Sequence, residues 1–310
     1  MDRRRRAPRA FYGLGCAITI LGLTACSSSS SAEPARTKPI LVVTTTTQLT
    51  DFAHEIGGAN VRVVGLLKAN VDPHDFEPTP ADVDNLAKAV VIVKNGIGLE
   101  KWFEATIETA EPKGRVVDAS IGVKVRTGDG KEPEGDPHIW QNPRNAKIMV
   151  ANIAAALQSA DPTHAATYES NLVAYVAKLD ALDIEIERQI DRLPNKNLVT
   201  NHDAFGYYVD RYGLTFVGSI FPSFDTSAEL SATDIQALVQ QIKAAGVKAI
   251  FSESSLPTKT ARAMGREARV KVVEGDDALY GDTLGPVGSD GGTYLKMMRH
   301  NTNTIVSNLS

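Results

Sequence analysis

From residue 40 onward, short β-branched runs alternate with stretches whose apolar positions recur every three to four residues. Residues 40–46, Ile-Leu-Val-Val-Thr-Thr-Thr, form a nearly continuous apolar and β-branched run, as expected of a strand buried on both faces. A helix over 49–57 follows, closed by Gly57-Gly58, then a strand over 61–67. Thr79-Pro80 reads as an N-cap with proline at the first helical position, opening a helix over 81–88. Strands at 90–93 and 115–118 flank a helix over 99–109, and Asn142-Pro143 opens another to about 160. The longest helical signal spans 162–193, with Leu172, Val173, Val176, Leu179, Leu182, Ile186 and Ile190 at helical spacing and no Gly or internal Pro. The alternation then resumes: strands at 197–200, 214–221, 248–251 and 270–273, helices at 204–212, 232–245, 258–266 and 294–309. This order predicts two α/β lobes with mostly parallel sheets, 39–161 and 195–310, joined by one long linker helix over 162–194. At 1.5 Å per residue that helix would run about 45 Å, and its continuity predicts little hinge motion.

The first residues carry an address. Five arginines precede an apolar stretch over 11–23 that is too short to span a bilayer, and Leu23-Thr24-Ala25-Cys26 follows. That tetrapeptide resembles the bacterial lipobox, which implies cleavage after residue 25 and lipidation of Cys26. The polar, low-complexity stretch 26–38 then reads as a flexible tether. Loss of residues 1–25 lowers Lys+Arg from 33 to 28 and Asp+Glu from 37 to 36, a net charge of −8. An acidic chain of this kind argues against nucleic acid as a partner. With Cys16 removed and Cys26 acylated, no thiol remains to pair, so the fold must be held by its core. No later segment approaches transmembrane length.

The chemistry concentrates in the histidines. The stretch 72–80, Asp-Pro-His-Asp-Phe-Glu-Pro-Thr-Pro, places His74 in a proline-stiffened loop just after the second strand. His138 follows a Gly-, Lys- and acid-rich loop, and His202 follows the strand at 197–200. Open α/β sheets bind ligands outside the carboxyl ends of their strands, so these imidazoles from two lobes can converge in the interlobe cleft. Asp282, in a Gly/Pro-rich loop before the last helix, is a fourth candidate. Three His and one Asp satisfy four-coordinate Zn²⁺. Binding needs neutral imidazoles, so affinity is expected to fall as pH drops through the histidine range near 6.5. His54, His164 and His300 read as surface residues. Asp203 could orient His202 or cap the next helix, the cap being favoured. Asp82 and Asp84 read as first-turn carboxylates.

Four stretches together, 71–80, Asp136-Pro137-His138-Ile139-Trp140, His202-Asp203-Ala204-Phe205-Gly206-Tyr207 and the Asp282 loop, resemble the metal-binding lipoproteins of zinc/manganese ABC importers, the ZnuA/TroA-like family. The resemblance runs from about residue 40 to the carboxyl end and implies two α/β lobes bridged by a long helix. It also implies a metal held by His74, His138, His202 and Asp282. On the same footing, Asp72, Asp75 and Glu77 are left to local hydrogen bonding and to negative potential at the cleft mouth. The implied role is capture of a divalent metal outside the cell membrane for a permease and its ATPase, with no enzymatic activity. His202 as third ligand favours Zn²⁺ over the harder Mn²⁺. Manganese or iron binding, or a metal-containing adhesion lipoprotein, is the alternative. The chain departs from many zinc members in having no histidine in 122–136, and Pro73 stands where some carry a carboxylate.

Overall fold

The computed structural model describes residues 10, 12–13, 38–127, 133–226 and 231–310. The export signal, Cys26 and the tether up to residue 37 lie outside the described residues, while Lys38–Ser310 forms one compact unit. Its described strands make two four-stranded parallel sheets. The first contains β1 (Ile40–Thr44), β2 (Val61–Gly65), β3 (Val91–Lys94) and β4 (Arg115–Asp118), in the order β2-β1-β3-β4. The second contains β5 (Asn197–His202), β6 (Thr215–Phe221), β7 (Ala249–Phe251) and β8 (Lys271–Val273), in the order β6-β5-β7-β8. Each sheet therefore reverses direction beside its first strand, opening a crevice at the carboxyl ends of β1/β3 and of β5/β7. The buried runs of β1 and β5 occupy the central positions that the near-continuous apolar pattern demands.

Helices α1 (Thr47–Gly57) and α4 (Pro143–Ala160) bury one apolar face each, with Leu49, Phe52 and Ile56 on α1 and Met149, Ile153 and Leu157 on α4. Helix α2 (Pro80–Lys88) begins with the expected Thr79 cap, completed by Asp82 into a capping box. Helix α3 (Phe103–Ala110) starts four residues later than the apolar pattern predicts. The reason is local: Gly96, Ile97 and Gly98 have φ of 88°, 54° and 66°, a left-handed turn that no α-helix contains. Glu100, buried, pins this turn by accepting from Thr45 Oγ1 at 2.5 Å and from the backbone N–H of Asn95 and Gly96 at 2.6 and 3.1 Å.

The linker splits into a 3₁₀ turn (Pro162–His164) and α5 (Ala165–Ile190), whose 26 residues span about 39 Å. Its buried stripe keeps the expected positions except Val173, with Leu172 and Val176 packed against the central cluster, and adds two tyrosines. Tyr168 and Tyr175 lead into Leu179, Leu182, Ile186 and Ile190, while Val173 is 62% exposed. The two tyrosines lie seven residues apart on the core face, and Val173, five after Tyr168, is rotated away from it. Asp183 on α5 accepts Arg144 Nε of α4 at 3.1 Å and, on the other side, Arg211 Nε and Nη2 of α6 (Gly206–Tyr212), each at 2.8 Å. The linker is thus clamped to both halves. In the second half, α7 (Ala232–Ala244) and α8 (Lys259–Ala268) cover one face, and α9 (Tyr294–Leu309) packs beside α5. β5 runs two residues longer than expected, so His202 is its last residue, paired with Phe221, rather than a loop residue.

Candidate metal centre

Each predicted ligand is aimed by a local device. In both Asp-Pro-His sequences the aspartate Oδ1 accepts the histidine backbone N–H, Asp72 from His74 at 2.9 Å and Asp136 from His138 at 3.0 Å. Around His74, Trp102 Nε1 donates to the Pro73 carbonyl at 3.3 Å and its ring meets Phe76 edge-on at 4.9 Å. Asp136 Oδ1 also holds His138 Nδ1 at 2.8 Å, while its Oδ2 receives Arg126 Nη1 at 2.8 Å. Asn95 Nδ2 donates to the Pro137 carbonyl at 2.9 Å, which ties this segment to the end of β3.

At the crevice of the second sheet, Glu253, two residues beyond β7, accepts both the backbone N–H and Nδ1 of His202 at 3.0 Å. Asp282 lies on a loop of the second half whose carbonyls are held by side chains of the first. Trp140 Nε1 and Gln141 Nε2 donate to the Gly281 carbonyl at 2.9 and 2.8 Å, and Gln48 Nε2 donates to the Asp282 carbonyl at 2.9 Å. Gly281 is required here, because a Cβ would sit 1.8 Å from Glu253 Oε2.

The four side chains meet. Ligand-type atoms of His74, His138, His202 and Asp282 all lie within 4.8 Å of one another. Asp282 Oδ1 is 3.3 Å from His138 Nε2, Oδ2 is 3.5 Å from His202 Nε2 and 3.9 Å from His74 Nε2, and the Nε2 atoms of His138 and His202 are 3.2 Å apart. A tetrahedral ion with bonds near 2.0–2.1 Å has ligand–ligand edges of about 3.3 Å. His138, His202 and Asp282 are fully buried. His74 Nε2 and both Asp282 oxygens are buried without any hydrogen-bond partner, which a polar interior does not tolerate unless a cation completes them. The Nδ1 atoms of His138 and His202 face carboxylates, so their Nε2 lone pairs point at each other. That contact needs a proton or a metal between the rings.

The electrostatics agree. Burial opposes charge on His138, yet its hydrogen bond to Asp136 and the adjacent negative charge of Asp282 lift it to about 10. His202 is likewise opposed by burial and lifted by Asp282 and Glu253 to about 9. Burial lowers His74 to about 4. Burial also works against the Asp282 charge, but His202, His138 and His74 overcome it and hold the carboxyl well below the usual carboxylate range. A cleft of about 640 Å³ opens beside His74, lined by Glu100, Glu104, Asp118, Glu134 and Asp225 together with Lys94 and Lys101.

Other expectations are corrected. Asp203 does not cap α6, whose first turn has no side-chain cap, and its buried Oδ1 has no partner; Glu253 is what orients His202. Asp75 and Glu77 are exposed and do not line the cleft, whose acidic residues come from other loops. Asp72 does bond locally, through the His74 N–H. Asp82 does more than face a helix dipole, since it closes the capping box, whereas Asp84 pairs with Lys88. His54 is exposed, His164 bonds Asp161 at 2.6 Å and His300 bonds the Ala278 carbonyl at 2.9 Å, all away from the site. Sequence reasoning missed Asp136, Glu253 and Gln48. The repeated Asp-Pro-His was a legible signal for the first; the other two are brought in only by folding.

Fold and site together define a two-lobed metal-binding protein of the substrate-binding class. A family model described as zinc-uptake complex component A, periplasmic, matches residues 42–308, and the chain belongs to that family. It is a substrate-binding protein of a metal ABC transporter and not an enzyme. The manganese ABC transporter substrate-binding lipoprotein scaA of Streptococcus gordonii is 30% identical over 303 residues, covering 94% of this chain and 96% of that protein. The iron ABC transporter substrate-binding lipoprotein MtsA of Streptococcus pyogenes serotype M1 is 30% identical over 307 residues, 96% of this chain and 97% of that one. Among solved structures, the periplasmic zinc-binding protein TroA from Treponema pallidum superposes with a TM-score of 0.82 at 33% identity, covering 88% of this chain and 100% of that one.

Proposed function

We propose that this protein captures Zn²⁺ between its lobes through His74, His138, His202 and Asp282 and delivers it to the permease and ATPase of an ABC importer. Cys26 anchors it by lipid to the outer face of the cell membrane, with residues 26–38 as tether, 39–161 and 195–310 as lobes, and 162–194 as the helix between them. One observation carries the metal reading: three imidazole nitrogens and a carboxylate converge in a buried site with the His74 Nε2 and Asp282 oxygens unpartnered. Three borderline nitrogens with one oxygen suit zinc better than manganese, which prefers oxygen-rich sites. Four protein ligands also leave no position for a catalytic water. The similarity to manganese and iron lipoproteins favours one second reading, that Mn²⁺ or Fe²⁺ is the cargo. Metal analysis of the protein as purified, followed by competition, separates them. Zinc is expected to be retained against an equal concentration of Mn²⁺; displacement by Mn²⁺ would overturn the zinc assignment.

A further inference from the structure

All four side chains are buried, His74 at 3% exposure, but they are not equally placed. His138, His202 and Asp282 are fully buried and approach one another to 3.2–3.5 Å. His74 comes no nearer than 3.9 Å to Asp282, and of the four it alone lines the 640 Å³ cleft. The cores divide in the same way. The segments of His138 and His202 run directly into a central apolar cluster through Trp140 and Phe205, and Trp140 also holds the Asp282 loop at Gly281. The His74 loop instead rests on a separate cluster over the outer face of the first sheet, through Phe76 and Trp102.

What holds this loop against the opposite lobe is a short chain of contacts. Thr226 Oγ1, beyond β6, donates to Asp72 Oδ2 at 2.7 Å, and Asp72 Oδ1 receives the His74 N–H at 2.9 Å. One carboxylate therefore links the second lobe to the backbone of a ligand in the first. Beside it, Lys101 pairs with Asp225 across the same cleft.

We propose that His74 is the gate of the site, that the metal enters and leaves through this cleft as the His74 loop swings, and that Asp72 and Thr226 are positioning residues that hold it closed. The proposal rests on the ligand set of the preceding section. With the loop out, His138, His202 and Asp282 remain as a three-ligand half-site open toward the cleft. With it in, His74 completes the coordination and covers the ion.

Zinc dissociation from the mature protein into excess chelator, followed by stopped flow, tests this. Losing one hydrogen bond to a charged acceptor in Thr226→Val is expected to speed dissociation about tenfold. The Co²⁺ absorption spectrum and the melting temperature of the metal-free protein should stay as in the parent, and Thr226→Ser should restore the slow rate. His74→Ala should still bind Co²⁺, more weakly and with an altered spectrum, whereas His138→Ala should not. A parental dissociation rate in Thr226→Val, or loss of Co²⁺ by His74→Ala as complete as in His138→Ala, would overturn the gate. Unchanged zinc affinity on alanine substitution at all four positions would instead sink the ligand set itself.

Discussion

Asp136 and Glu253 do the same work on different histidines. Each accepts the backbone N–H and Nδ1 of its partner, which fixes the ring and leaves Nε2 toward the site. Removing such a partner costs about 10–100-fold in metal affinity. Glu253→Ala is expected to weaken zinc binding by that factor in a chelator competition; parental affinity would mean that β5 alone holds His202. The same carboxylates set the pH dependence. Without metal, their carboxylate partners raise His138 and His202, so the pair, with Nε2 atoms 3.2 Å apart, holds at least one proton at pH 7, while burial lowers His74. Zinc must expel the protons held there, and apparent affinity therefore keeps rising with pH above 7 instead of levelling off just past 6.5. Calorimetry in buffers of different ionisation enthalpy should count between about one and two protons released per zinc at pH 7. A count of zero would contradict the carboxylate–imidazole pairing.

At the scale of elements, helix α5 is more than a spacer. Arg144 of α4 and Arg211 of α6 meet on Asp183, which is 10% exposed, and Tyr212 adds a fourth hydrogen bond at 3.1 Å. Burial would raise the Asp183 carboxyl, but Arg211 and Arg144 together pull it below its ordinary value. The stabilisation is thus present above the ordinary carboxylate range and is lost as pH falls through the lowered value. Removing Asp183 takes hydrogen bonds from the buried Arg211, which keeps Glu187, and from Arg144, which is exposed to water, at a cost of about 2 kcal/mol. Asp183→Ala should lower unfolding stability by roughly that amount in urea, and a loss within error would show the clamp to be redundant. The periodicity found α5 and its inward face, but it put the exposed Val173 there and passed over Tyr168 and Tyr175, which turn inward at the start of the helix. It also began α3 too early, because apolar spacing is blind to the left-handed turn at Gly96, Ile97 and Gly98.

For the whole molecule, the separate apolar clusters are built without any metal contact, among them the continuous central one that spans both lobes. The metal-free protein is therefore expected to be folded. Zinc at about a thousand times its dissociation constant should add about 4 kcal/mol through binding to the native state alone. Thermal melts with and without chelator measure both. A metal-free form without a cooperative transition would point to a structural metal and away from a carrier.

The sequence by itself determined the alternation of elements, the caps at Thr79 and Asn142, and which side chains could serve as ligands. Those are properties of neighbouring residues: period, φ restriction and functional groups at the ends of strands. It also held the repeated Asp-Pro-His, whose shared turn is local chemistry. Only the tertiary structure decided that Glu253, 51 residues from His202, and Gln48, 234 residues from Asp282, would stand behind those two groups. No pattern along the chain encodes such pairings, because they follow from two sheets presenting their strand ends to one crevice. The same holds for the contrast between His74, which lines the cleft, and the other three groups, which do not: that placement is a property of the assembled lobes.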